Sequence, residues 1–385
     1  MTAYEVIVVG GGYFGCSAAY HLASAGVPTL LVEGREIASG ASGANFGNVQ
    51  VQDSNMGLSL TLTLEGFKRI QNMEAQLGLP IGYKTQPSLI GAECEAHLPE
   101  LRRLYEEKKA AGLDIRWLEG REITEIEPNL APGAVAAATY YEQGSVYPFH
   151  YMFALITRGR EHGLTVRENA EVQSLFTEGG ACCGVVLAGG EVIRANQVVV
   201  AAGAGARALC QSVGLDVPVQ SVKAEGMVTE AIKPFLRTYY ASAAFFAEAH
   251  SQDEAATSLC IGQSRFGNIL LAETTKPPDW VPEKYRDTSS LAHIRNLREK
   301  VLRFFPALRD IQVLRSWVTA SPYTDSCEPV LGFGGVPGVI VAAGFKSAVI
   351  LSAVAGEIVR DLATKGTCSY DLDVFTRQIR VSSSL

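Results

Sequence analysis

Residues 4–33 read YEVIVVGGGYFGCSAAYHLASAGVPTLLVE, and this stretch decides the fold. The run 4–9 is apolar apart from Glu5 and short enough to be a buried strand. It passes into Gly10-Gly11-Gly12-Tyr13-Phe14-Gly15, which satisfies GxGxxG. A helix is expected over 14–25 and a second strand over 29–33, which together make a β-α-β unit close to minimal length. The glycines serve different ends. Gly10 permits the tight turn, Gly12 the close approach of a pyrophosphate, and Gly15 close helix–strand packing. The helix start offers unsatisfied N–H groups and the positive end of its dipole to phosphates. Glu33 closes the second strand, where a carboxylate can accept hydrogen bonds from ribose hydroxyls. Strand, glycine turn, helix and acid occur in order, so the unit reads as a dinucleotide site, with NAD and FAD both open.

Outward from this unit, residues 34–57 are rich in Gly, Ser, Ala and Asn and form a long ligand-facing loop. Helices are expected over 61–77, 95–112, 149–162, 291–305 and about 346–363. Strands are expected near 164–175 and 183–194, at 197–203 (QVVVAAG), over 217–231 and 257–275, and at 338–343 (GVIVAA). Alternating β and α signals fall in three blocks, and the intervening material has antiparallel character. The expected fold class is α/β, α+β overall. A discontinuous Rossmann-like nucleotide-binding domain (1–80, 148–216 and 318–385) is joined by an antiparallel-sheet substrate or cap domain (81–147 and 217–317).

The rest of the sequence sets limits. At 385 residues the chain exceeds one small domain. A net charge of −7 gives no footprint for nucleic acid. The first residues carry no basic n-region, and the most apolar stretch, near 337–359, is broken by Lys346 and Glu357, so neither a signal peptide nor a transmembrane segment is expected. Eight cysteines without CxxC, and six histidines without HxH or HxxxH, predict a reduced cytoplasmic protein with no metal site.

Two features favour FAD. The small residues of Ser39-Gly40-Ala41-Ser42-Gly43-Ala44-Asn45 let backbone amides line an extended ligand. The C-terminal strand–Gly344–helix unit aims a second helix start into the same crevice, where it would favour a reduced, anionic flavin. The expected cofactor-binding residues are Gly10, Gly12, Tyr13, Phe14, Gly15, Glu33, Gly34 and Arg35 at the first unit, with Ser39, Ala41, Ser42, Asn45, Gly47 and Asn48 in the loop. Val172, Ala202 and Gly203 join them from mid-chain, and Gly344, Phe345 and Lys346 from the C-terminal unit.

These residues resemble a known family. GGGYFGCSAAYHLASAGVPTLLVEG with GASGANFGN, ITEIEPNL near 123–130, VVVAAGAGA at 198–206 and WVTASPYTDSCEPVLG at 317–332 followed by GVIVAAGF are similar, in order and over nearly the whole chain, to the D-amino acid oxidase superfamily of FAD enzymes. The glycine and sarcosine oxidase/dehydrogenase branch is the nearest in pattern. The resemblance implies oxidation of the C–N bond of a small amine or N-substituted amino acid, with hydride passing to flavin N5 and an imine that hydrolyses. It implies no dedicated general base. The GASGANFGN stretch is also similar to the opine and hydroxyproline dehydrogenases, whose β subunits work in hetero-oligomers, so a partner subunit as electron acceptor is the alternative.

The chain also departs from that family pattern. The arginine that clamps a substrate carboxylate in many members is replaced by Ser321, so either a carboxylate meets Arg265, Lys346 or Arg237 instead or the substrate lacks a carboxylate at that place; Arg315 is read as structural. Lys346 follows Gly344-Phe345 at the helix start, where it would stabilise a reduced flavin. The strand reading GNILLAET lacks the lysine that oxygen-using sarcosine oxidases place there. In the cap, Tyr239, Tyr240, Phe245 and Phe246 are aromatic candidates for the substrate pocket. Asn48, Gln50 and Gln52 alternate, so on an extended segment they share one face. Trp317 is expected to pack, and Cys327 lies where some relatives attach flavin covalently. The expected catalytic set is Lys346, Tyr240 and Arg265.

Overall fold

The computed structural model describes residues 4–244, 259–275, 289 and 291–381. Phe245 and Phe246 lie outside them. Two eight-stranded sheets and a three-stranded sheet carry the architecture. In the first large sheet, strand Tyr4–Val9 lies between Thr29–Val32 and Val192–Val200, parallel to both. Thr165–Arg167 continues the sheet beyond Thr29–Val32. Val192–Val200 pairs first with Ala181–Leu187, antiparallel, and then with Val339–Ala343, parallel.

The strands at the centre are continuous apolar runs because both faces are covered. Val6 and Val8 point into one core with helices Tyr13–Ser24, Pro148–Glu161 and Ala348–Lys365. Ile7 and Val9 point into the other with Leu209 and Leu215. Each fully buried Val, Leu or Ile contributes about 1.5–3 kcal/mol, so these two cores hold the sheet. The helices on the first face approach closely: Ser17 Oγ donates to the Ser352 carbonyl at 2.7 Å, and a Cβ on Gly356 would lie 2.2 Å from Ser17 Oγ.

The second large sheet runs in the order 313–323, 220–231, 268–275, 260–263, 239–242, 88–92, 137–141, 116–119. Helix Leu291–Phe304 covers one of its faces, packing Leu297, Val301 and Phe304 on Met227, Ile261 and Leu271. Strand Val313–Tyr323 pairs along its length with Gln220–Ala231. Residues 318–323, grouped with the first domain in the sequence reading, are therefore hydrogen-bonded into the second sheet. The expected mid-chain helix 95–112 is a short 3-10 turn followed by Leu98–Ala110. The loop after the second strand holds a two-residue strand, Asn48–Val49, paired with Gly144–Ser145. Among the described residues no helix is long and apolar enough to cross a membrane, no group of side chains could hold a metal ion, and no disulfide joins any of the eight cysteines.

Candidate functional site

Four loops leave the same edge of the first sheet, the carboxyl ends of its parallel strands: Gly10–Gly12, Glu33–Arg35, Ala201–Gly203 and Gly344–Lys346. In open α/β sheets this edge is where ligands bind. Gly10 adopts φ +111°, and a Cβ there would lie 2.4 Å from the Ala201 carbonyl oxygen. A Cβ on Gly15 would lie 1.8 Å from the Gly10 carbonyl oxygen. The turn is therefore as tight as backbone allows. Gly12 caps the helix with no side-chain hydrogen bond, and no acid stands in the first turn, leaving the dipole's positive end for an anion.

Glu33 holds the turn. One carboxylate oxygen accepts from Gly11 N–H at 2.6 Å and the other from Arg35 N–H at 2.9 Å. Each oxygen keeps a second lone pair for a sugar hydroxyl. Arg35 donates to the Ser39 carbonyl, and Ser42 Oγ accepts from Tyr13 N–H at 3.1 Å, drawing the small-residue loop over the helix start; Ala41 lies within this segment. Ala170 N–H donates to the Glu33 carbonyl, and Gly34 abuts Glu171, so Val172 begins its strand beside this corner. The residues present thus fit a dinucleotide whose pyrophosphate meets the Gly10–Gly15 turn.

The remaining candidates divide. Gly47, at φ +81°, bends the loop so that Asn48 pairs with Ser145, and Asn45 Oδ1 accepts from Gly47 N–H. Phe14 stacks on Phe345 with ring centroids 3.5 Å apart, linking the first helix to the C-terminal unit. Tyr13 is different: only its backbone faces the turn. Its ring is 1% exposed in the helical core beside Tyr151, and burial pushes its phenol well above the ordinary range.

Lys346 donates to the Asp53 carbonyl at 2.9 Å and lies 3.8 Å from its carboxylate. Asp53 is buried, and its Oδ1 has no hydrogen-bond partner among the described residues. Sequence reasoning missed this acid, because no local pattern joins residues 53 and 346.

Tyr240 does not face the site. Strand Tyr239–Ser242 turns it toward the cap helix, where its ring packs on Phe304 and Phe305. Tyr239, one residue earlier, points the other way, edge-on to Phe46, and burial raises its phenol pKa. The register places Tyr239 on one sheet face with Ala241, Cys260, Gly262, Leu270, Val228, Trp317 and Ser321.

A cleft of about 200 Å³ opens between that face and the loop. Asn45, Phe46 and Asn48 line one side, and Gly262, Leu270, Trp317, Arg265 and Arg315 line the other. Arg265 lines this cleft. Arg237 does not: it is exposed, with its backbone N–H held by Glu127. Arg315, read as structural from sequence, lines the cleft. Trp317 does pack, covering Gly226 and donating from Nε1 to the Ala44 carbonyl at 3.3 Å, but it also forms part of the cleft wall. Gln52 faces away from the cleft, bonded to Ser88 and Thr139. Glu168, also missed, accepts from Ile37 N–H at 2.7 Å and pins the loop.

Comparison with known proteins agrees with this geometry. The chain is 28% identical over 382 residues to glycine oxidase of Geobacillus kaustophilus (strain HTA426), covering 97% of this chain and 96% of that protein. It is 26% identical over 392 residues to an opine oxidase subunit of Rhizobium meliloti, covering 98% and 97%. The crystal structure of glycine oxidase from Geobacillus kaustophilus superposes with a TM-score of 0.86 over the whole of both chains at 26% identity. The model of the DAO family, described as FAD dependent oxidoreductase, matches residues 5–362; the chain belongs to this family of FAD-dependent oxidoreductases.

Proposed function

We propose that the protein oxidises the C–N bond of a small secondary amine or N-substituted amino acid, giving an imine that hydrolyses. The observation that carries this reading is the cleft itself. It lies between the small-residue loop and the cap sheet, and the loop also closes the dinucleotide turn. When bound, the flavin supplies a two-electron hydride acceptor at N5. Gly10 to Gly15, Glu33 and the loop residues Ser39, Ser42 and Asn45 would hold its diphosphate and ribose side. Gly344, Phe345 and Lys346 would meet the far end. What remains for the chain itself is orientation and exclusion of water. Phe46 and Trp317 give the cleft apolar walls, while Asn48 supplies a polar edge. Full-length similarity to glycine oxidase and to the opine oxidase subunit supports amine chemistry. We also propose the two-domain division given above, with Val313–Tyr323 assigned to the cap, and a cytoplasmic location.

The test is anaerobic bleaching of the FAD-reconstituted protein by glycine, sarcosine, proline isomers, opines and polyamines. Bleaching by N-substituted amino acids is expected. Protein that stays colourless after reconstitution, or flavin that no amine reduces, overturns the reading. A second reading is a flavoprotein subunit that passes electrons to a partner. It is favoured by the likeness to a protein named as a subunit of opine oxidase and by the absence of lysine from Asn268–Thr275. Rapid peroxide formation by the isolated chain in an oxygen electrode excludes it.

A further inference from the structure

We infer that the cleft between the loop 43–48 and the cap sheet seats a second carboxylate of the substrate, which is read by Arg265 and Arg315. The inference rests on the amine-oxidising function proposed above and narrows it to secondary amines that carry two anionic groups.

The charge pattern of the lining comes first. Three cations, Lys84, Arg265 and Arg315, contribute to it, and among the described residues its lining includes no Asp or Glu. The chain as a whole has 40 acidic residues against 33 basic, so a wall with cations alone runs against the overall balance. Neither arginine makes an ion pair with a carboxylate among the described residues. Each instead lies beside an aromatic ring of the same wall: Arg265 is 5.6 Å from the Phe266 ring centroid, and Arg315 is 5.5 Å from that of Trp317. Such cation–π contacts use none of the guanidinium N–H donors, which stay available for a carboxylate.

Two of these cations also crowd each other. Lys84 donates to the Gln263 carbonyl at 2.9 Å, one turn of loop from Arg265. Burial, and then the Arg265 charge, lower its pKa. Like charges gathered without a counter-charge are relieved by an anion.

Size and position complete the case. About 200 Å³ is on the order of seven water volumes, which suits a short carboxyalkyl arm better than a peptide or polymer. Ser321 lies on the same sheet face as Arg315, three strand repeats along Val313–Tyr323. Arg315 is therefore displaced along the strand from Ser321, the position the family clamp would occupy. A substrate with its nitrogen beside the flavin would extend its distal arm to these cations.

The test uses the FAD-reconstituted protein with glutarate as a non-oxidisable dicarboxylate and butyrate as its monocarboxylate control. Binding is followed by calorimetry and by perturbation of the flavin spectrum. Glutarate is expected to bind at least about tenfold more tightly. Arg265→Met and Arg315→Met should each abolish most of that preference, and Arg315→Lys should keep part of it. Both arginines are exposed, so the variants are expected to fold, which their flavin content checks. In turnover, N-(carboxymethyl)glycine should reduce the flavin with a lower KM than sarcosine, and the methionine variants should raise the first KM alone. Equal affinity for glutarate and butyrate, or a preference unchanged in the double variant, overturns the inference. If glutarate shows the arginine-dependent preference and no amine bleaches the flavin, the carboxylate site stands and the proposed reaction falls.

Discussion

Gly12 and Gly15 look alike in the motif, yet the structure gives them different work. A Cβ on Gly15 collides with fixed backbone, so Gly15→Val should cost the apoprotein about 3 kcal/mol or more, seen as a large drop in Tm. A Cβ on Gly12 meets only the Ser42 side chain within 4 Å. Gly12→Val should therefore leave the apoprotein near its native Tm and abolish FAD binding, because the added methyls occupy the phosphate approach. Normal flavin content in that variant would move the phosphate site elsewhere. Lys346 carries a second prediction. Replacing it with Met removes a cation beside the buried Asp53 and should lower the flavin reduction potential by on the order of 30 mV, the two-electron equivalent of about 1.4 kcal/mol. An unchanged potential in dye-coupled titration would assign Lys346 to holding Asp53 alone.

At the scale of elements, the contact between helices Tyr13–Ser24 and Ala348–Lys365 is the most demanding. Gly356 lets Ser17 and His21 approach the second helix, so Gly356→Ala should destabilise the fold by about 1–3 kcal/mol in denaturant titration. His21 is buried in the same contact, and burial lowers its pKa to about 4. Its folded pKa lies below the unfolded value of about 6.5. Above that value both states are neutral and its contribution to stability is complete. As pH falls toward 4, only the unfolded state takes up the proton, and stability drops by up to about 1.4 kcal/mol per pH unit. His21→Gln should flatten this part of the stability profile. An identical pH profile in wild type and variant would show that His21 does not drive it.

Across the whole molecule, how much was legible depended on whether the signal was local. The strand–glycine–helix–acid order and the apolar runs at 4–9, 197–203 and 338–343 specified the first sheet, because doubly covered parallel strands must be apolar throughout. The cap was harder to read. Tyr239 and Tyr240 are equivalent in composition, and only the parallel register of strand Tyr239–Ser242 on Ser88–Ala92 decides which one faces the loop. Arg315 gave no sign of its position, since it reaches the cleft through the pairing of Val313–Tyr323 with Gln220–Ala231. Asp53 and Glu168 meet partners nearly 300 and over 100 residues away, and no periodicity records such contacts.

The amino-acid sequence alone determined the dinucleotide turn, the family and the flavin, because these rest on short-range steric and dipolar requirements that a few residues in fixed order must satisfy. The tertiary structure alone decided which side chains face the cleft and what charge its walls present. Strand parity and long-range pairing set those, and one residue of register exchanges the two faces of a sheet.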